Sequence, residues 1–277
     1  MKRGPAMPVV PKEASTVILL RRPPGGGGFE VLMVRRDRRS RFVPDAYVFP
    51  GGVLDEEDGS ERLKRLCTGL TPSRALGILE ASPSPEIALG SWVAAVRETF
   101  EEVGILLAYR PDGSILSPSP DGETERLRSL RRRLIEGETS FADILEQEEL
   151  TLACDRLHYY SHWITPEFLP LRYDVRFFLA EAPGHQEALH DGIELTEHVW
   201  RTPGDVLEDS RRGRFNMVLP TLLTIEELCR YRTLEEAIGS TRGRVVEGIL
   251  TRMREEDGAI VEYTPDGRAF RNLPPSV

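Results

Sequence analysis

Hydrophobic and polar positions along this 277-residue chain follow two periods, one suited to strands and one to helices. Ser15 to Arg22 and Phe29 to Arg35 are aliphatic or β-branched runs separated by Pro-Pro-Gly-Gly-Gly-Gly, the turn chemistry of a hairpin. Ala46 to Phe49 reads as a third short strand ending at Pro50-Gly51-Gly52, and Ile105 to Tyr109 as further strand material. Helical spacing governs Leu89 to Val103, Glu123 to Glu136 and Phe141 to Leu150. Strand patterns return at Leu157 to Ile164, Tyr173 to Glu181 and Leu195 to Trp200, with Thr202 or Asp205 placed to cap a short helix after the last. Pro220 to Tyr231 and Thr233 to Ile238 read as helices, while Arg244 to Asn272 alternates weakly and is expected to fold back as a hairpin or lie loose. Strands interleaved with helices, without a repeat or heptad array, predict an α/β (α+β) fold: a mixed sheet with helices between its strands. Residues 59–89 and 123–150 read as helical insertions.

Composition narrows the partners. Lys+Arg 36 against Asp+Glu 45 leaves a net charge of −9, which argues against nucleic acid or an anionic membrane surface. A polyanionic small molecule must then be met by a local site or a metal. The lysines are only Lys2, Lys12 and Lys64, so arginine carries nearly all the positive charge. Cys67, Cys154 and Cys229 are scattered without a Cys-x-x-Cys pair, which excludes a disulfide scaffold or a Cys-rich zinc module and suits a reducing cytoplasm. The apolar run Val17 to Leu20 is far shorter than a signal-peptide core, and no window approaches a membrane span.

The helix at Leu89 to Val103 carries the candidate chemistry. On a helical wheel Trp92, Val103, Val96, Leu89, Phe100 and Val93 form one apolar stripe. Glu98, Glu101 and Glu102 gather opposite, flanked by Arg97 and the small residues Ser91, Ala94 and Ala95. Like charges at these spacings each cost about 0.2–0.5 kcal/mol, and they stand at the helix C-terminus, where the macrodipole disfavours them. A solvated acidic face would tolerate that cost. A hard cation would turn it to use, since Mg²⁺ takes several oxygen ligands and leaves room for water and phosphate. In that reading Arg97 holds one of the carboxylates in place.

Gly52 together with Arg97-Glu98-Thr99-Phe100-Glu101-Glu102-Val103-Gly104-Ile105 resembles the Nudix hydrolase motif, G-x5-E-x7-R-E-U-x-E-E-x-G-U with U aliphatic, approached by Phe49-Pro50-Gly51. Thr99 departs from the aliphatic position, and an insert of 31 residues separates the two halves. Asp58 takes the place of the motif's first Glu when counted forward from Gly52, and Leu89 takes it when counted back from Arg97. The interrupted motif, with His162-Trp163-Ile164-Thr165-Pro166 and Arg172 to Glu181 later, is similar to the Nudix branch that holds the peroxisomal coenzyme A diphosphatases and their bacterial relatives. The resemblance implies a Nudix-type mixed sheet sandwiched between helices, a domain over residues 12–240 and a C-terminal extension over 241–277. It also implies Mg²⁺- or Mn²⁺-dependent hydrolysis of a nucleoside diphosphate derivative, with coenzyme A or its thioesters the first expectation. An ADP-ribose- or NADH-type pyrophosphatase, or a Nudix-fold binding module without turnover, are the alternatives. Glu98, Glu101, Glu102 and a backbone carbonyl at Gly51 or Gly52 are the expected metal ligands. Glu98 or Glu102 is the expected base, with Glu194 and Glu197 in reserve on a later acidic loop and Arg97 supporting the set.

Other residues invite two readings each. His158 and His162 have zinc-ligand spacing only on a helix, and their neighbours favour a strand. Trp163 and Tyr173 suit either the core or a stacked nucleobase. Arg35, Arg36, Arg38, Arg39 and Arg41 form a solvated rim or reach substrate phosphates. Cys154 has no base beside it in sequence.

Overall fold

The computed structural model describes residues 9–271 except 41, 81, 120, 121 and 168. Strands β1 (Lys12–Arg21), β2 (Glu30–Arg36), β3 (Tyr47–Val48) and β4 (Gly51–Val53) come first, followed by a 3-10 turn at Glu56–Gly59. Helices α1 (Glu61–Arg65) and α2 (Pro72–Leu79) lie between the two halves of the motif and lead into α3 (Pro85–Val103), which starts four residues earlier than the spacing predicts. After β5 (Ala108–Tyr109) come α4 (Glu123–Ile135), α5 (Phe141–Gln147), β6 (Thr151–Leu152), β7 (His158–Ile164), β8 (Tyr173–Glu181) and β9 (Leu195–Arg201). Helices α6 (Pro203–Arg211), α7 (Leu219–Leu228) and α8 (Leu234–Gly239) precede β10 (Gly248–Leu250), β11 (Arg252–Glu256), β12 (Ala259–Tyr263) and β13 (Ala269–Arg271).

The main sheet runs β10-β7-β8-β1-β2-β3, with β4 also on β1 and β9 also on β2. β1 pairs parallel to β8 along its length on one side. On the other side it changes partner midway, from β4 at Ala14 to Thr16 to β2 at Leu20 and Arg21. Period-two alternation sends Val17 and Leu19 to one face and Ile18 and Leu20 to the other, all fully buried. The first face packs under α3 through Trp92, Val93, Val96 and Phe100. The second packs under α7 and α8 through Leu219, Leu223, Leu228 and Leu234. The sheet is thus sandwiched between helices, as expected.

The C-terminal stretch departs from a simple hairpin. β10 joins the main sheet parallel to β7, and β11, β12 and β13 form a separate antiparallel meander. Thr202 does cap α6, its hydroxyl accepting from Asp205 N–H. Among the described residues no helix is long and apolar enough to cross a membrane.

Candidate active site

α3 is set by its ends. Ser84 caps its first turn with a hydroxyl that accepts from Ile87 N–H, Pro85 opens it, and Gly104 closes it at φ 72°. Its apolar stripe then docks on the sheet, and the opposite face carries Glu98, Glu101 and Glu102 towards β4.

Two glycines permit that approach. A Cβ on Gly51, whose φ is 155°, would lie 2.3 Å from Ser15 O and 2.6 Å from Thr16 Cα, so only glycine lets β4 lie against β1 here. A Cβ on Gly52 would lie 2.4 Å from the Glu98 carboxyl carbon, so this glycine makes the space that the carboxylate fills. The Gly51 N–H donates to Glu102 Oε2 at 2.8 Å.

Arg97, 6% exposed, ties the two halves of the motif together. Its Nε and Nη2 donate to the two oxygens of Asp58 at 2.9 and 2.8 Å, and Nη2 also donates to Val53 O at 2.9 Å. Its Nη1 donates to Glu98 Oε1 at 2.9 Å and lies 3.4 Å from Glu101 Oε1. The two alignments of the first acidic position are thereby separated: Asp58, 1% exposed, faces Arg97 across the insert, whereas Leu89 is core. Burial works against the Arg97 charge, but Asp58, Glu98 and Glu101 outweigh it and hold the guanidinium firmly protonated.

One guanidinium does not neutralise this set. Burial pushes the Glu98 carboxyl up to about 7, with Arg97 opposing and Glu101 adding to the rise. Burial raises Glu101 as well, and it raises Glu102 well above the usual range, where Glu98 adds to it. The donors are all oxygens, the charge is in excess and burial is high, which fits a hard divalent cation. Among the described residues no three His, Cys, Asp or Glu side chains yet close on one point, since Glu98 and Glu101 lean on Arg97 and Glu102 on Gly51.

Sequence reasoning found no partner for the unfavourable helix C-terminus. The structure supplies one from α4: Arg131 donates to Glu101 O and Glu102 O at 2.8 Å each, and to Leu189 O at 2.7 Å. A buried cation on the last carbonyls offsets the macrodipole beneath the carboxylates.

Two cavities meet at this helix. One, about 360 Å³, is largely apolar, with Phe49, Trp163, Tyr173 and Phe177 in its walls and Gly51 and Gly52 at its edge. The other, about 530 Å³, holds Asp58, Arg97, Glu101, Glu102 and Asp191. Glu98 and Glu194 line both. The structure thus brings together Glu98, Glu101, Glu102, Arg97, Gly51, Gly52 and Glu194. It leaves Glu197 outside both cavities, because that carboxylate accepts from Tyr47 Oη at 2.8 Å and pairs with Arg35. Thr251 and Glu262, from the weakly patterned C-terminal stretch, also line the apolar cavity, and the Thr251 hydroxyl donates to Glu262 at 2.5 Å. Only tertiary proximity marks them, and no local signal does.

The remaining candidates resolve individually. His158 and His162 lie on strand β7, and His162 is hydrogen-bonded to Asp174, away from zinc geometry. Trp163 and Tyr173 both line the apolar cavity. Arg35, Arg38 and Arg39 are paired with Asp45, Asp45 and Asp37, and Arg41 lies outside the described residues. The Cys154 thiol is buried and held well above its ordinary range by Cys67 beside it and by burial, the opposite of a nucleophile's environment.

The sequence profile of the NUDT19 Nudix domain matches residues 11–230. The acyl-coenzyme A diphosphatase NUDT19 of Gallus gallus is 30% identical over 253 residues, covering 79% of this chain and 66% of the relative. Its Xenopus laevis counterpart is 26% identical over 246 residues, covering 79% and 65%. The chain thus spans just under two thirds of the length of these curated relatives. The crystal structure of a Nudix hydrolase from Alicyclobacillus acidocaldarius superposes with a TM-score of 0.67 at 26% identity, covering 83% of this chain and 96% of that one.

Proposed function

Because this chain belongs to the NUDT19 Nudix domain family, we propose that it is a divalent-metal-dependent diphosphatase whose preferred substrate is coenzyme A or an acyl-coenzyme A. The observation that carries the proposal is the buried, under-neutralised group Glu98, Glu101 and Glu102, set against Gly51 and Gly52 where an apolar and an acidic cavity join. The family and the names of its diphosphatase relatives support the substrate class.

Glu98, Glu101 and Glu102, with a carbonyl of Gly51 or Gly52, would hold Mg²⁺ or Mn²⁺. When bound, the metal supplies charge neutralisation for the diphosphate and makes a nearby water more acidic. Arg97 keeps Glu98 and Glu101 in place from behind, itself anchored by Asp58. The acidic cavity takes the diphosphate, and the apolar cavity takes an organic half of the substrate against Trp163, Tyr173 and Phe177. Glu194 receives the proton of the attacking water. It stands at the junction of the cavities, and among the described residues its carboxylate has no ion pair, whereas Glu98, Glu101 and Glu102 are already engaged. Water adds to one phosphorus and the bridging P–O bond breaks, which leaves 3',5'-bisphosphorylated adenosine and a phosphopantetheine. Three free cysteines suit a reducing compartment, and we place the protein in the cytoplasm.

Chromatographic product analysis after incubation with Mg²⁺ and coenzyme A, acetyl-coenzyme A, ADP-ribose, NADH and diadenosine polyphosphates tests this. Turnover of the coenzyme A compounds, abolished by EDTA, is expected. Tight binding of one compound with turnover of none would replace the enzyme with a Nudix-fold binding module.

A further inference from the structure

A third cavity, about 430 Å³, lies beyond Trp163, which lines both it and the apolar cavity. Two further elements carry their walls from one into the other. Thr221 and Thr224, one helical turn apart on α7, line the apolar and the third cavity in turn, and so do Glu262 and Thr264, two residues apart at the end of β12. The two cavities thus run end to end beneath α7, as one trough that begins at Gly51, Glu98 and Glu194.

Its floor is shaped by a bulge. The β7–β8 register shifts between Tyr159 and Ser161, which makes Tyr160 the extra residue. Tyr160, Ser161 and Trp163 therefore all reach the third cavity, where strict alternation would send Tyr160 to the opposite face. Tyr160 Oη, Ser161 Oγ and Trp163 Nε1 are buried without a hydrogen-bond partner among the described residues. The Glu227 carboxylate acts on Tyr160 but is itself engaged by Arg244, at 2.6 and 3.1 Å. Orphaned donors cost the free protein stability, and their complement is a ligand with acceptor oxygens.

Charge decides which ligand. The third cavity's three arginines face four carboxylates, and Arg244 and Arg268 are already paired with Glu227 and Asp266, so no positive charge is in surplus for a phosphate. The nucleotide half of coenzyme A carries a 3'-phosphate. Its pantetheine arm is uncharged, with two amide carbonyls and a hydroxyl spaced between short apolar segments.

We propose that the trough beneath α7 is the subsite for the substrate's pantetheine arm, with Tyr160, Ser161 and Trp163 donating to its oxygens beyond the apolar cavity. This assignment rests on the diphosphatase reading and fixes which end of the substrate enters the apolar cavity.

Tyr160→Phe and Ser161→Ala each remove one orphaned hydroxyl and little else. Isothermal titration of both variants and the unmodified protein with 4'-phosphopantetheine and with 3',5'-bisphosphorylated adenosine, in Mg²⁺, tests the assignment. Each variant should bind 4'-phosphopantetheine about threefold to tenfold more weakly, the effect of one lost hydrogen bond, and bisphosphorylated adenosine within about twofold of the unmodified protein. Without ligand, the Tm of each variant should be no lower than that of the unmodified protein, because the hydroxyl removed has no partner in the fold. Unchanged binding of 4'-phosphopantetheine in both variants, an equal loss for both compounds, or no binding of 4'-phosphopantetheine to the unmodified protein would each overturn the proposal. A lowered Tm would show that the hydroxyls are already partnered and would overturn it too. Hydrolysis of coenzyme A by the unmodified protein is followed alongside. Its absence, with 4'-phosphopantetheine binding weakened in the variants, would refute the diphosphatase reading and leave the subsite standing.

Discussion

Replacing Glu98 by Gln should make the metal-free protein more stable at alkaline pH, although it removes a residue the site needs. Burial lifts the Glu98 carboxyl from 4.5 to about 7, so the folded state binds this proton more tightly than the unfolded chain does. For a raised carboxyl, stability is greatest below the unfolded value and falls as pH climbs between about 4.5 and 7. At about 1.4 kcal/mol per pKa unit the loss is about 3 kcal/mol once Glu98 is ionised. Gln keeps the shape and can still accept from Arg97, whose other bonds to Asp58 and Val53 are untouched. Thermal unfolding followed by circular dichroism in EDTA at pH 5 and pH 8 reads the difference. The variant should match the unmodified protein within about 1 kcal/mol at pH 5 and exceed it by about 3 kcal/mol at pH 8, roughly 6 °C in Tm for a chain of this size. Saturating Mn²⁺ at pH 8 should raise the Tm of the unmodified protein more than that of the variant. A variant that is equally or less stable at pH 8 without metal would refute the claim that Glu98 is held ionised at a cost.

Four further substitutions separate folding from function. Gly51→Ala sets a Cβ against backbone atoms of Ser15 and Thr16 and should cost more than about 3 kcal/mol in urea unfolding. Gly52→Ala meets the carboxylate end of the Glu98 side chain and no backbone among its nearest atoms, so the fold should survive in the same assay while turnover drops at least tenfold. Asp58→Ala strands the buried Arg97 charge and should lower stability by about 3–5 kcal/mol, and a stability loss under about 1 kcal/mol would show that Arg97 does not depend on it. Glu262→Gln, far from the metal helix in sequence, should change KM among acyl-coenzyme A substrates while leaving metal dependence intact, and an unchanged KM series would separate the C-terminal stretch from the substrate cavity.

What the sequence made legible was local or periodic. The apolar stripe of α3 and its acidic opposite face follow from residue spacing alone, and the paired glycines and Arg97 follow from the motif. The ambiguity between Asp58 and Leu89 could not be settled by counting, because an insert changes spacing without changing which side chain the folded chain returns to Arg97. Arg131 was hidden for a related reason. Its place on the α3 carbonyls is a contact between elements separated by some thirty residues, and α4 reads as an ordinary basic amphipathic helix. Thr251 and Glu262 lie where alternation is weak: Thr251 follows the three-residue edge strand β10, and Glu262 sits on β12 in the middle of the short separate meander. Glu194 and Glu197 look alike in sequence. They part in the structure because Tyr47 and Arg35 engage one and leave the other at the cavity junction.

The central claim is that three carboxylates on the last turns of α3 bind divalent cations for a diphosphate. Electron paramagnetic resonance of free Mn²⁺, titrated with the protein in the presence and absence of coenzyme A, measures this directly. The account predicts saturable Mn²⁺ binding that coenzyme A tightens, lost in a Glu98→Gln, Glu101→Gln, Glu102→Gln variant whose circular dichroism is unchanged. Binding of Mn²⁺ by that folded variant with undiminished affinity would contradict it.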